Sequence, residues 1–91
     1  MTGEVHQETK HYIYVLRCKD KSLYTGYAVD VERRLKEHNG EEKGSDAKYT
    51  RARRPVQLVY TESFKTRSEA LKREAAIKKL SKAEKEKLIS S

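Results

Sequence analysis

Residues 12–26 read YIYVLRCKDKSLYTG, two runs of β-prone residues broken by a short charged segment. Tyr, Ile, Val and Leu at this density favour extended backbone, and Lys19 to Lys21 is a break of the length that closes a β-hairpin. A first strand from His11 to Cys18 and a second from Ser22 to Val29 are therefore expected. The stretch holds three of the chain's six tyrosines and one of its four glycines. Those tyrosines are either packing aromatics or hydroxyl groups with chemistry to do. Side chains alternate faces along a strand, so Tyr14 and Tyr24 share a face only if the turn holds an odd number of residues, such as Lys19, Asp20 and Lys21. The sequence by itself leaves both registers open.

The rest of the chain adds one strand and three helices. Asp30 is an N-cap for DVERRLKEHNG, and Asn39-Gly40 is its C-terminal stop. After the polar loop EEKGSDAKYTRARRP comes VQLVYTESF, where Val56, Leu58, Tyr60 and Phe64 alternate as in a strand. Thr66 with Glu69 forms a capping box for a helix to about Leu80, and Ser81 with Glu84 forms another for a terminal helix. The expected fold is α/β, a small three-stranded antiparallel sheet flanked by helices in the order β-β-α-β-α-α. Residues 1–10 read as a flexible N-terminal tail and residues 11–91 as a single domain, since 91 residues support one modest core.

Two helices carry charge where apolar residues belong. Val31 and Leu35 mark the inward stripe of the first, and the same stripe holds Arg34 and His38. Arg33, Glu32, Lys36 and Glu37 read as ordinary solvated charges. On the next helix Ala70, Leu71 and Ile77 mark the stripe, with Glu74 in its midst. Desolvating an ion costs several kcal/mol unless a partner, a metal or partial exposure offsets it. Either Arg34 and Glu74 form a partly buried ion pair, or they line a site open to solvent. His38 near a helix C-terminus also fits a simple dipole partner.

Lys and Arg outnumber Asp and Glu by 21 to 14, a formal charge of +7, so a polyanion is the expected partner class. The segment AKYTRARRP sets Lys48, Arg51, Arg53 and Arg54 around Tyr49, a pattern suited to phosphate contacts and base stacking or, more plainly, a solvated basic loop. The C-terminal lysines alternate with acids and read as a solvated face. No apolar run approaches a membrane span, and the N-terminus lacks the apolar core of a signal peptide, so a cytoplasmic protein with no membrane partner is expected. Cys18, the lone cysteine, reads as a small strand residue without a role.

Taken together, YIY, YTG, DVERRLKEH and LKREAAIKKL resemble the GIY-YIG nuclease superfamily, in particular its small stand-alone bacterial members of uncharacterised function. The resemblance covers Tyr12 to about Leu80. It implies motif tyrosines at Tyr14 and Tyr24 on one face, a catalytic arginine at Arg34, an accessory histidine at His38, and a metal-holding glutamate at Glu74. Tyr12 stands where the first glycine of GIY would be, and Thr25 where the middle residue of YIG would be. A further family asparagine has no counterpart in SKAEKEKLISS.

The resemblance implies a metal-dependent DNA endonuclease in which Tyr14 acts as base or water holder, Tyr24 orients the water and Arg34 neutralises the phosphate. One weakly bound Mg²⁺ or Mn²⁺ on Glu74 would stabilise the leaving oxygen. A nearby guanidinium and the metal are expected to lower the Tyr14 pKa. The substrate would be branched, flapped or single-stranded DNA read by shape, by a monomer acting alone or delivered by a protein partner. The alternatives are a nucleic-acid-binding module on the same scaffold that cleaves nothing, or an interaction adaptor.

Overall fold

A computed structural model describes residues 9–40, 50 and 52–91. The elements are β1 (His11–Arg17), β2 (Leu23–Ala28), α1 (Val31–His38), β3 (Gln57–Phe64), α2 (Arg67–Lys78) and α3 (Lys82–Ser90). The sheet is antiparallel with the order β2-β1-β3, so the element order and fold class are as expected. Residues 1–8, most of the expected tail, lie outside the described residues, while Thr9 and Lys10 are exposed. Among the described residues no helix is long and apolar enough to cross a membrane.

The hairpin closes through three residues. Cys18 N–H donates to the Ser22 carbonyl (2.9 Å) and Lys21 N–H to the Cys18 carbonyl (2.8 Å), with Lys21 at φ 70°. A three-residue loop ending in a left-handed residue matches the twist of the flanking strands. The odd count is realised on Lys19, Asp20 and Lys21. Both strands are shorter than their apolar runs because Cys18, Ser22 and Val29 serve the turns.

β1 sits in the middle with Ile13 to Leu16 buried, which gives the sheet two working faces. On one, Tyr14, Leu16, Cys18, Ala28 and Val56 pack with Tyr24, Val31 and Leu35 beneath α1. On the other, Ile13 and Val15 meet Ala70 and Ile77 of α2, with Leu80, Leu88 and Ile89 of the C-terminal segment closing over them. Pairing between β1 and β3 shifts between Val15 and Leu16, so that Val15 faces Tyr60 and Leu16 faces Leu58. The simple alternation expected for Val56, Leu58, Tyr60 and Phe64 is thereby corrected. The irregularity turns Val59 and Tyr60 toward the α2 face while Val56 packs on the other.

Leu71 also departs from expectation: it is exposed, and the inward stripe of α2 consists of Ala70 and Ile77 with Glu74 beside them. The helix ends at Lys78, two residues short of Leu80. Thr66 and Ser81 are the N-caps, and the full reciprocal box forms at Ser81 and Glu84. Two bidentate ion pairs fix the helices to the sheet. Arg73 clasps Glu62 of β3 at 2.9 and 3.0 Å, and Arg17 of β1 clasps Glu86 of α3 at 2.5 and 2.8 Å.

Candidate active site

Strand period and turn length decide where the two phenols go. Tyr14 pairs with Gly26 and Leu16 with Tyr24, so Tyr14, Leu16, Tyr24 and Gly26 share one face. A Cβ at Gly26 would lie 2.4 Å from the Tyr14 hydroxyl and 2.5 Å from its Cζ. The absent side chain is thus the space in which the Tyr14 ring lies. The two tyrosine rings stand 6.4 Å apart between centroids, and Tyr24 stands 4.9 Å from the His38 ring. Tyr14 is buried at 1% exposure, whereas Tyr24 is only partly covered.

α1 delivers the other two groups. Asp30 caps its first turn by accepting from Arg33 N–H at 3.0 Å, and Val31 and Leu35 pin it to the sheet. That rotation points Arg34 and His38 at the phenols. His38 Nε2 lies 3.0 Å from the Tyr14 hydroxyl, and its Nδ1 lies 2.8 Å from Thr50 Oγ1. The Thr50 hydroxyl directs its one proton to the His38 carbonyl at 3.4 Å. Nδ1–H then donates to Thr50, and Nε2 accepts from the Tyr14 O–H. Thr50 follows from no local pattern, since its partner lies on a different element 12 residues away.

Electrostatics at this cluster run against the sequence expectation. Burial pushes the Tyr14 phenol up to about 12, and the adjacent Arg34 guanidinium only partly offsets it. The same burial, reinforced by the positive charge of Arg34, pulls His38 down to about 4. At neutral pH the pair is a neutral phenol donating to a neutral imidazole. Of the two groups expected to lower the Tyr14 pKa, the guanidinium acts in the expected direction but is outweighed by desolvation.

Arg34 is 35% exposed and anchored on Glu37 at 2.5 Å. Glu37 is 17% exposed, so it is a holder of the arginine rather than an ordinary solvated charge; its i, i+3 spacing from Arg34 was the available signal. Glu74, on α2, acts on the cluster through its charge. It pairs with Lys78 at 3.0 Å rather than with Arg34, and its charge contributes to raising the Tyr14 phenol. Glu74 and Arg34 therefore keep separate partners.

One partly exposed carboxylate suits a hard divalent ion that keeps most of its waters and takes phosphate oxygens as further ligands. No group of three or more His, Cys, Asp or Glu side chains that could cage an ion exists among the described residues. The donor set thus fits loose binding at Glu74, with the half-exposed Lys78 as the group to be displaced.

Of the basic loop residues, Lys48, Tyr49 and Arg51 lie outside the described residues. Arg53 pairs with Asp20 of the hairpin turn at 3.0 Å. Arg54 Nε donates to the His38 carbonyl at 2.6 Å, at the C-terminal end of α1. Gly40, at φ +78°, leaves room for that guanidinium: a Cβ there would lie 2.6 Å from Nη1. Asn39 completes the junction by exchanging two hydrogen bonds with the backbone of Val56, at 2.8 and 3.2 Å.

A family pattern described as the GIY-YIG catalytic domain matches residues 10–87. A UPF0213 protein of Staphylococcus saprophyticus is 63% identical over 81 residues, which cover 89% of this chain and 95% of that protein. One from Natronomonas pharaonis is 55% identical over 80 residues, 88% and 91% of the two chains. The solution NMR structure of the UPF0213 protein BH0048 from Bacillus halodurans superposes with a TM-score of 0.57 at 49% identity, covering 89% of this chain and 83% of its own. That of the protein EF2693 from E. faecalis gives 0.59 at 48%, covering 94% and 90%.

Proposed function

Because the chain belongs to the GIY-YIG catalytic-domain family, we propose that it is a metal-dependent endonuclease that hydrolyses phosphodiester bonds in DNA. The family is of nuclease type, and its nucleases generally depend on a divalent metal. The observation that carries the proposal is the meeting of Tyr14, Tyr24, Arg34 and His38 on one sheet face, within the electrostatic reach of Glu74.

Tyr24, the partly exposed phenol, holds the attacking water. Tyr14 takes a proton from that water as its own O–H proton passes to His38 Nε2. The relay avoids a free phenolate, whose formation at pH 7 from a pKa of about 12 would cost about 7 kcal/mol. The water oxygen bonds to phosphorus as the bond to the leaving oxygen breaks, and Arg34, held by Glu37, faces the charge gathering on the phosphate. Glu74 would hold a divalent cation, Mg²⁺ or Mn²⁺, which when bound would supply Lewis-acid stabilisation of the leaving oxygen.

The near-complete burial of Tyr14 favours the second reading, a nucleic-acid-binding module that cleaves nothing. One experiment separates the two. Linear, flapped, branched and single-stranded DNAs are incubated with and without Mg²⁺ or Mn²⁺, beside a Glu74→Ala variant. The expected result is metal-dependent nicking that the variant loses. Binding without nicking would establish the module, and neither would leave an adaptor.

A further inference from the structure

The outer face of α2 holds an open groove of about 520 Å³ lined by Arg67, Ser68, Leu71, Lys72 and Ala75. Its chemistry is mixed in a specific way. Leu71 and Ala75 make an apolar floor, Arg67 and Lys72 make a cationic rim, and among the described residues no carboxylate lines it. Leu71 is exposed although the periodicity of the sequence assigns it inward, and nothing in the core uses it. Arg67, Leu71 and Ala75 follow one another at i, i+4 spacing and so form a single stripe. The upper end of that stripe is fixed, because the Arg67 guanidinium lies 5.8 Å over the Tyr27 ring of β2, which His11 stacks against and hydrogen-bonds at 2.7 Å. Along the helix, Glu74 lies one turn beyond Leu71. Glu74 itself does not line the groove, which shares with the candidate site only the helix that carries that carboxylate.

We propose that this groove holds an unpaired stretch of the nucleic-acid strand, with phosphates on Arg67 and Lys72 and a base or sugar face on Leu71. The proposal rests on the nuclease reading and adds to it the surface that holds the substrate. Charge complementarity decides the class of occupant, since a rim of two cations without acids favours a polyanion. The apolar floor decides the form. In a duplex the base faces are stacked inside and offer little to an aliphatic side chain, whereas an unpaired strand exposes them.

All of the lining residues are exposed, so Arg67→Gln, Lys72→Gln and Leu71→Gln leave the core untouched. Fluorescence anisotropy with a fluorescein-labelled 12-nucleotide single strand and the matching duplex, titrated at several salt concentrations, reads the effect, with thermal unfolding as the control for folding. The double variant Arg67→Gln/Lys72→Gln is expected to flatten the salt slope on the single strand by about 1.4, two phosphates at about 0.7 each. Leu71→Gln is expected to weaken the single strand about fivefold at unchanged slope and to leave the duplex alone. An unchanged slope in the double variant, or a Leu71 effect that is absent or equal on both DNAs, overturns the groove. If those variants nick like the unaltered protein, the groove fails while the nuclease reading stands. If groove-dependent binding occurs without nicking, the groove stands and the nuclease reading fails.

Discussion

Tyr14 and His38 form a hydrogen-bonded unit on which the proposed chemistry draws and to which part of the stability belongs. His38 has a pKa of about 4 in the folded protein against an ordinary 6.5. Between those values the unfolded chain binds a proton that the folded one does not, so stability is fully present above about pH 6.5 and is lost as pH falls toward 4. The loss is on the order of 3 kcal/mol. Urea unfolding between pH 8 and 4 should show it, and His38→Gln should remove most of the slope in that window. Gly26→Ala should act on the same unit from the other side: a methyl 2.4 Å from the Tyr14 hydroxyl forces the ring to move. An overpacking cost of about 1–3 kcal/mol is expected, together with loss of nicking. Thr25, next to Gly26, has a buried hydroxyl without a hydrogen-bond partner among the described residues. Thr25→Val should therefore be neutral or stabilising by up to about 1 kcal/mol in the same unfolding assay.

Among the elements, those with local signals were legible in the sequence. The β1–β2 hairpin, the Asp30, Thr66 and Ser81 caps and the Asn39-Gly40 stop all rest on residues within a few positions of one another. The departures share a cause. The side on which Leu71 falls depends on how α2 lies across β2 and β1, and the split of the β3 apolar residues depends on a shift in pairing with β1. Neither is encoded in the period of a single segment. The position of α2 is in turn tied by Glu62 and Arg73, the residue before Glu74, with the Tyr60 hydroxyl donating to the same carboxylate. Because both partners are partly exposed, a double-mutant cycle with Glu62→Gln and Arg73→Gln should give a coupling of about 1 kcal/mol that shrinks at high salt. A coupling near zero would detach the clasp from the placement of α2.

For the whole molecule, the excess of 21 basic over 14 acidic residues sets the terms of association. A single strand held through three of its phosphates should bind about twentyfold more weakly when salt is raised from about 50 to about 200 mM, measured by anisotropy. Binding indifferent to salt would contradict a polyanionic partner. Not all of the basic loop is available for that role, since Arg53 and Arg54 have partners in the hairpin turn and at the end of α1. By itself the sequence determined the secondary structure, the sheet-and-helix class and the misfit residues Arg34, His38 and Glu74, because capping, turn chemistry and apolar period act over a few residues. Only the tertiary structure decided that Tyr14 shares a face with Tyr24, that Thr50 closes the His38 hydrogen bonds and that Glu37 rather than Glu74 holds Arg34. It also decided that burial raises the Tyr14 pKa against the opposing pull of Arg34. Each of these depends on which groups are brought together and how much water is excluded between them, and both arise from contacts distant along the chain.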